Sequence, residues 1–303
     1  MQNYIEKNTC EICDENGSEV SKINYTDPKI KDFFMKFYGP IGTELLYKFI
    51  QNIQYTLILC ENCQYLWQKN QPTDQLAFNL YEKIIDKNQS FNKSQFSKKN
   101  NEIRFNSEFE FVYNFFDKKK INLLDFGAGW GTWFNSIDKN KANLYAFEVS
   151  PSRKEYLEKL ENVKVIDESE IKDYKNFFDF IRLEQVLEHV TDLKTIMNSL
   201  KKIAKKGGLI NVSVPDGAEI FKKKNYFVIE KGPTQPLEHV NCFTNKSLTK
   251  LFIKNNFIKL TKQELILNHL KNTPLNKDKI KYLISDFKKN LYSTSIKFIN
   301  KMN

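Results

Sequence analysis

The chain has 303 residues, enough for one large domain or for a core domain with a smaller appendage. Apolar residues make up 41% and charged residues 28%, which excludes wholesale disorder. The net charge of +10 invites a polyanionic partner, but it rests on 44 lysines and only three arginines, Arg104, Arg153 and Arg182. Base and phosphate readers favour the bidentate guanidinium, so nucleic-acid binding is disfavoured and a solvated lysine surface is expected. No apolar run approaches the roughly 18 residues of a membrane span, and Met1 to Glu6 open no signal peptide, so a cytoplasmic protein is expected.

Residues 1 to about 66 carry four of the five cysteines. The polar stretch Lys87 to Asn101 shows little apolar periodicity and reads as a loop or linker. From about Asn106, short apolar runs alternate with helical segments, the signature of βαβ units and a parallel sheet. The predicted strands are Asn122 to Phe126, Leu144 to Val149, Val163 to Asp167, Phe178 to Leu183 and Leu209 to Val214, with Phe257 to Thr261 a sixth. Helices are predicted over Thr132 to Lys139, Ser152 to Leu160, Asp192 to Lys205 and Lys246 to Asn255, the third ended by Gly207-Gly208. Apolar residues at Ile280, Leu283, Ile284 and Phe287 predict an amphipathic helix over Asp278 to Phe298.

Three of only ten glycines fall in Gly127-Ala128-Gly129-Trp130-Gly131, directly after the strand ending in Asp125-Phe126. Glycines at a strand-to-helix turn let the backbone approach a ligand, and the spacing differs from the dinucleotide G-x-G-x-x-G, whose sixth position here is Thr132. The next strand ends in Glu148, whose two oxygens can hold both hydroxyls of a ribose, a device shared with NAD enzymes. A packing turn for the glycines and a helix-terminal ion pair for Glu148 are the alternatives.

The segment Asp125-Phe126-Gly127-Ala128-Gly129-Trp130-Gly131 resembles motif I of class I S-adenosylmethionine-dependent methyltransferases, D/E-x-G-x-G-x-G. Phe178 to Val190, with Val186-Leu187-Glu188-His189-Val190, resembles the fourth-strand region of that superfamily, and Lys206 to Pro215 its G-G turn and fifth strand. The resemblance implies an α/β, Rossmann-like sheet with helices on both faces. It also implies a cofactor site of Asp125, Gly127, Gly129, Gly131, Glu148 and Glu184 for S-adenosylmethionine. A seventh strand is not evident after Thr261; Glu264 to Asn268 is the candidate.

Cys10-x-x-Cys13 and Cys60-x-x-Cys63 form two knuckles, the thiolate set of a structural zinc site. Independent buried cysteines are the alternative, and the lone Cys242 reads as a small core residue. Tyr55 to Trp67 resembles the second knuckle of an N-terminal zinc-binding segment that precedes some of these methyltransferase domains, including sugar C-methyltransferases. Gln64 stands where that pattern often has glycine.

The histidines are His189, His239 and His269, and two follow a glutamate: Glu188-His189 and Glu238-His239. Imidazole suits proton removal near neutral pH. His239, with Glu238 beside it, is the leading base candidate, His189 the second, and bracing of the helix near Asn245 the alternative. Asp216 to Leu237 is an insertion long enough for a lid. Glu238 to Thr244 resembles an E-H-x-x-x-F-[ST] segment of glycan-type methyltransferases, whose sugar C-methylating members carry Tyr-x-Glu-His; the tyrosine position here is Pro236.

The expected organisation is a zinc-binding module (1–70), a linker or helical lid (71–105), a methyltransferase domain (106–268) and a C-terminal helical extension (269–303). The expected function is methyl transfer to a small molecule or glycan precursor. An RNA or protein methyltransferase gripping its substrate through the zinc module, and a non-enzymatic zinc-ribbon interaction protein, are the competing readings.

Overall fold

The computed structural model describes residues 3–50, 52–117, 119–226, 228–261, 263–264 and 293–301. The first half of the chain runs β1 (Tyr4–Glu6), β2 (Ser18–Asn24), α1 (Pro28–Tyr47), β3 (Gln54–Cys60), β4 (Tyr65–Gln68), β5 (Asn70–Pro72), α2 (Asp74–Asn79) and α3 (Lys87–Phe115). Then come β6 (Ile121–Phe126), β7 (Ala142–Phe147), α4 (Pro151–Leu157), β8 (Val163–Ile166), β9 (Phe178–Glu184), α5 (Leu193–Ile203) and β10 (Ala204–Pro215). The described chain closes with α6 (Ala218–Lys223), β11 (Asn241–Cys242), α7 (Asn245–Lys254), β12 (Phe257–Lys259) and β13 (Ser293–Asn300).

These elements form two compact units that interleave in sequence. The first comprises residues 1–90, 185–194 and 214–251; the second comprises 91–184, 195–213 and 252–303. Residues 185–194 and 214–251, expected within the methyltransferase domain, are thus built into the unit that carries the cysteines.

The first unit contains an antiparallel sheet in the order β11-β4-β3-β2 and the β1-β5 pair. Its core gathers Tyr25, Phe34, Leu46, Tyr55, Leu57, Leu66 and Leu80, with Leu237 buried among them. The insertion expected as a lid packs here too, through Ile220, Phe221, Tyr226 and Ile229. Helix α1 is capped by Asp27, which accepts from the Lys29 N–H, and starts on Pro28. It kinks at Gly39-Pro40: Gly39 sits at φ 73°, where only glycine is comfortable, and Pro40 removes a helical N–H. Tyr38 therefore ends the first half of the helix.

The second unit is a seven-stranded sheet in the order β12-β13-β10-β9-β6-β7-β8. The pairings β10/β9, β9/β6, β6/β7 and β7/β8 are parallel, and β12/β13 is antiparallel. All six predicted strands are present within a few residues of their expected bounds.

Four expectations are corrected. Lys87 to Asn101 is helical, because no glycine or proline interrupts residues 73–126 and the helix is anchored at its far end by Phe105, Phe109 and Val112, which share a buried face. Thr132 to Lys139 is only a 3₁₀ turn, Thr132–Ser136. Gly207-Gly208 does not cap α5, which stops at Ile203; the glycines lie in an irregularity of β10 between Ala204 and Leu209. The seventh described strand is β13; of the expected Glu264 to Asn268, only Glu264 is described, and it is helical. Phe298, Ile299 and Asn300 pair antiparallel with Lys259, Ile258 and Phe257, so the end of the expected Asp278 to Phe298 helix, and of the 269–303 helical extension, is a strand. Residues 265–292, including His269, lie outside the described residues.

Candidate active site

Three parallel neighbours deliver the predicted cofactor residues to one end of the second unit's sheet. Strand β6 runs into the glycine loop, β7 into Glu148, and β9 ends at Glu184. The crevice outside the carboxyl ends of such strands, where connections depart in opposite directions, is where open α/β sheets bind ligands. Gly127, Gly129 and Gly131 all have positive φ (78°, 57° and 64°). A Cβ on Gly129 would meet nothing within 4 Å, so the loop faces open space there, whereas one on Gly131 would lie 2.6 Å from Leu157 Cδ2. Gly129 thus leaves room for a ligand and Gly131 lets the loop pack against the end of α4.

Glu148 holds this loop together. Its carboxylate accepts from the backbone N–H groups of Gly129 (2.8 Å), Val149 (2.9 Å) and Ser150 (2.9 Å). Three of about four acceptor positions are thereby filled, leaving capacity for one further donor. Val149, missed by the sequence reading, follows directly and exposes 61% of its surface, an apolar face at the strand end.

Asp125 is 2% exposed. It pairs with Arg182, its neighbour in the β6/β9 register, at 3.3 Å. Arg182 also reaches Glu108 and Glu184, each at 3.3 Å, and Arg104 contacts Glu184 at 3.4 Å. Asn211, on the other side of Arg182 in β10, donates to Glu108 at 2.5 Å. Burial pushes the Asp125 carboxyl up to about 6 even though Arg182 pulls it down. For Arg182 burial works against the charge, but the three carboxylates outweigh it and hold the guanidinium protonated. The periodicity of α3 in the sequence gave no signal for Glu108. Only the tertiary fold places it against Arg182.

The first unit brings His189 and His239 together, with ring centroids 4.9 Å apart and nearly perpendicular. His239 Nδ1 lies 2.6 Å from the Gly232 carbonyl and His189 Nδ1 lies 2.9 Å from the Glu238 carbonyl. Tyr81 Oη is 3.2 Å from His189 Nδ1. Burial, reinforced by the neighbouring His189, lowers the His239 imidazole to about 3 and keeps it neutral at pH 7. The Glu238 side chain does not orient the His239 ring, as its position in the sequence suggested. It accepts from Tyr38 Oη at 2.5 Å and from Gln235 Nε2 at 2.9 Å, and burial and Glu238 together keep the Tyr38 phenol protonated. Nor do Glu238 and His239 cap α7, since Thr244 and Ser247 cap its start reciprocally.

Two buried amides that the sequence reading passed over hold the histidine turns. Asn241 donates to the carbonyls of Leu187 (2.8 Å) and Val190 (2.6 Å), and Gln68 donates to those of His239 (2.9 Å) and Gln235 (3.1 Å). Isolated polar residues within strands carry no sequence signal for such a role.

A family model described as "Methyltransferase domain" matches residues 98–262, more than half of the chain. The chain belongs to this family. As a class I S-adenosylmethionine-dependent methyltransferase, it has the expected sheet and the expected glycine loop. No curated protein matches it in sequence. Solved structures that it resembles include the plantazolicin methyltransferase BamL in complex with a triazolic desmethylPZN analog and SAH (TM-score 0.49, 12% identity, covering 70% of this chain and 91% of that one). Another is a SAM-dependent methyltransferase from Aquifex aeolicus (TM-score 0.37, 22% identity, 48% and 76% covered). Among the described residues, no helix of the methyltransferase is long and apolar enough to cross a membrane.

The methyltransferase also brings its two cysteine knuckles together. One sulfur from each of Cys10, Cys13, Cys60 and Cys63 lies within 4.8 Å of every other. Cys13 and Cys60 are 3.5 Å apart, far beyond the roughly 2.05 Å of a disulfide. The residues that follow the second cysteine of each knuckle, Asp14 (φ 63°) and Gln64 (φ 53°), both adopt the left-handed conformation. The two knuckles therefore share one backbone turn, and the turn explains why glycine suits position 64. Lys250 Nζ lies 3.2 Å from Asn62 Oδ1 and interacts with Cys63, a cation beside the sulfurs. Cys242 is 2% exposed, as expected of a core residue.

Proposed function

We propose that this methyltransferase acts on a small-molecule or glycan-precursor acceptor, with His239 Nε2 receiving the acceptor's proton. The observation that carries the acceptor class is the fate of the three arginines. Arg182 is engaged by the buried Glu108 and Asp125, Arg104 by the partly exposed Glu184, and Arg153 lies 4.0 Å from Glu148 and against the Trp130 ring. No guanidinium is left to read bases or grip phosphates, which argues against an RNA substrate. The likeness of Glu238 to Thr244 to glycan-type methyltransferases supports the same class.

S-Adenosylmethionine, when bound, supplies the electrophilic methyl group. The open space over Gly129 and the remaining acceptor position of Glu148 suit its ribose, and Val149 offers its base an apolar face. Glu184, side chain 19% exposed, presents the accessible edge of the Arg182 cluster, while Asp125 acts from behind as a buried partner. His239 donates from Nδ1 to Gly232, which leaves the lone pair on Nε2; burial makes this imidazole a weak base, so it takes the proton as the methyl group transfers and the acceptor becomes strongly acidic. Glu238, held by Tyr38 and Gln235, and His189 complete the acid–base group.

The four cysteines suit a structural zinc. Tetrahedral ligands at about 2.3 Å stand about 3.8 Å apart, within the span of these sulfurs. The ion would cross-link two knuckles that lie 47 residues apart at Cys13 and Cys60.

The test is cofactor turnover against a panel of nucleotide sugars, other small hydroxylated acceptors and bulk RNA. Turnover with a small acceptor is expected; methylation of RNA that falls steeply with salt would overturn the acceptor class. Native mass spectrometry should find zinc in the wild type and lose it in Cys60→Ser. Full stability and activity of a zinc-free protein would reduce the knuckles to packed cysteines.

A further inference from the structure

The histidine pair has a third member. Glu188, with a side chain only 1% exposed, places Oε1 4.0 Å from His189 Nε2. One ligand atom from each of Glu188, His189 and His239 lies within 4.8 Å of the other two. The tautomers follow from the partners. A backbone carbonyl accepts and cannot donate, so the contacts to Gly232 and Glu238 put a proton on Nδ1 of each ring. The lone pair of each imidazole is then on Nε2. Metal-ligating histidines are fixed in this way, with the nitrogen opposite the ligating one donating to a carbonyl or carboxylate. Here two separate turns supply the two carbonyls, and Asn241 braces the His189 turn while Gln68 braces the His239 turn.

We propose that Glu188, His189 and His239 bind a divalent transition-metal cation through one carboxylate oxygen and two Nε2 atoms, a second metal site distinct from the four cysteines. Two imidazoles and a carboxylate favour Zn²⁺, Co²⁺, Fe²⁺ or Mn²⁺ over Mg²⁺, whose preferred ligands are all oxygen. Bonds of about 2.1 Å bring neighbouring ligands to roughly 3 Å. Loading therefore draws the cluster in, and the Glu188 side-chain torsions can supply the movement. Three protein ligands leave coordination positions open, and His189, 26% exposed, gives solvent and small molecules a way in. This inference rests on the proposed acid–base group but changes its working form: a bound cation would occupy the Nε2 of His239 and hold an acceptor oxygen, lowering the acidity barrier so that the acceptor's proton leaves to solvent as the methyl group transfers.

The experiment equilibrates the full-length protein with Co²⁺, removes loose metal on a desalting column and counts bound metal by native mass spectrometry. Optical spectra are recorded in parallel. Two ions per chain are expected in the wild type. Cys60→Ser should lose the ion that gives intense thiolate charge-transfer absorption. His239→Asn should keep that ion and lose the other, with Co²⁺ affinity at the second site falling at least tenfold. Since Glu188→Gln alters a buried group, its melting temperature is measured alongside, and the partly exposed His189→Gln provides an independent loss. Equal metal counts and equal titrations for the wild type and His239→Asn would overturn the site. A wild type with one metal whose turnover still collapses in His239→Asn also overturns it, and leaves the imidazole as proton acceptor. A second metal lost in His239→Asn, in a protein that methylates no small acceptor, supports the site and removes the acceptor reading instead.

Discussion

The two units assemble their chemistry in opposite ways. In the second unit, the glycine loop, Glu148 and Glu184 all sit at the ends of adjacent parallel strands, so a short stretch of sequence after each strand is enough to announce each residue. In the first unit, the cysteines, His189, His239, Glu188, Glu238, Tyr38 and Gln68 arrive from three separate stretches of chain, and β11 of only two residues ties the last stretch into the sheet. Chemistry written at strand ends can be read from motifs. Chemistry gathered by tertiary contacts cannot, unless a local spacing such as C-x-x-C marks its parts, even where the individual residues attract notice.

The sharpest test of this contrast is Arg182→Met. Removing the guanidinium leaves Glu108 and Asp125 buried without their main counter-charge, and a loss of about 3–5 kcal/mol in unfolding free energy is expected. Denaturant melts would measure it, and a loss under 1 kcal/mol would show that the carboxylates are compensated by other groups.

His239→Asn probes the first unit. With the acceptor in hand, kcat should fall roughly 100-fold while the affinity for S-adenosylmethionine stays as in the wild type. A parallel loss of cofactor affinity would mean that the two units do not divide the work as proposed.

Glu148→Ala probes the second. It removes the acceptor for three backbone N–H groups and should weaken cofactor binding at least tenfold, about 1.4 kcal/mol, by calorimetry. Equal affinity of the wild type for NADH would break the assignment of the loop itself.

The smallest effect is a gain. Gln64 holds φ 53° after the second knuckle, so Gln64→Gly should stabilise the protein by about 0.5–1 kcal/mol and raise its melting temperature by a few degrees. A destabilised variant would show that contacts of the Gln64 side chain outweigh its backbone strain.

Sequence alone determined the parallel sheet, because buried parallel strands read as apolar runs separated by helical periods, and it determined the glycine loop, because φ > 0 at three nearby positions demands glycine. It also paired the knuckles, since C-x-x-C spacing reflects one local turn. The tertiary structure decided the rest. It made a helix of Lys87 to Asn101, whose polar residues show no amphipathic stripe, by anchoring its far end. It closed the sheet with Ser293–Asn300, which follows an apparent helical pattern and becomes a strand by pairing with Phe257–Lys259. It turned Asp125 inward to Arg182 and turned Glu238 toward Tyr38 instead of His239. Neither orientation is encoded by nearest neighbours in the chain: each depends on where a charged group finds its hydrogen-bond partner once water is excluded, and those partners lie 57 and 200 residues away.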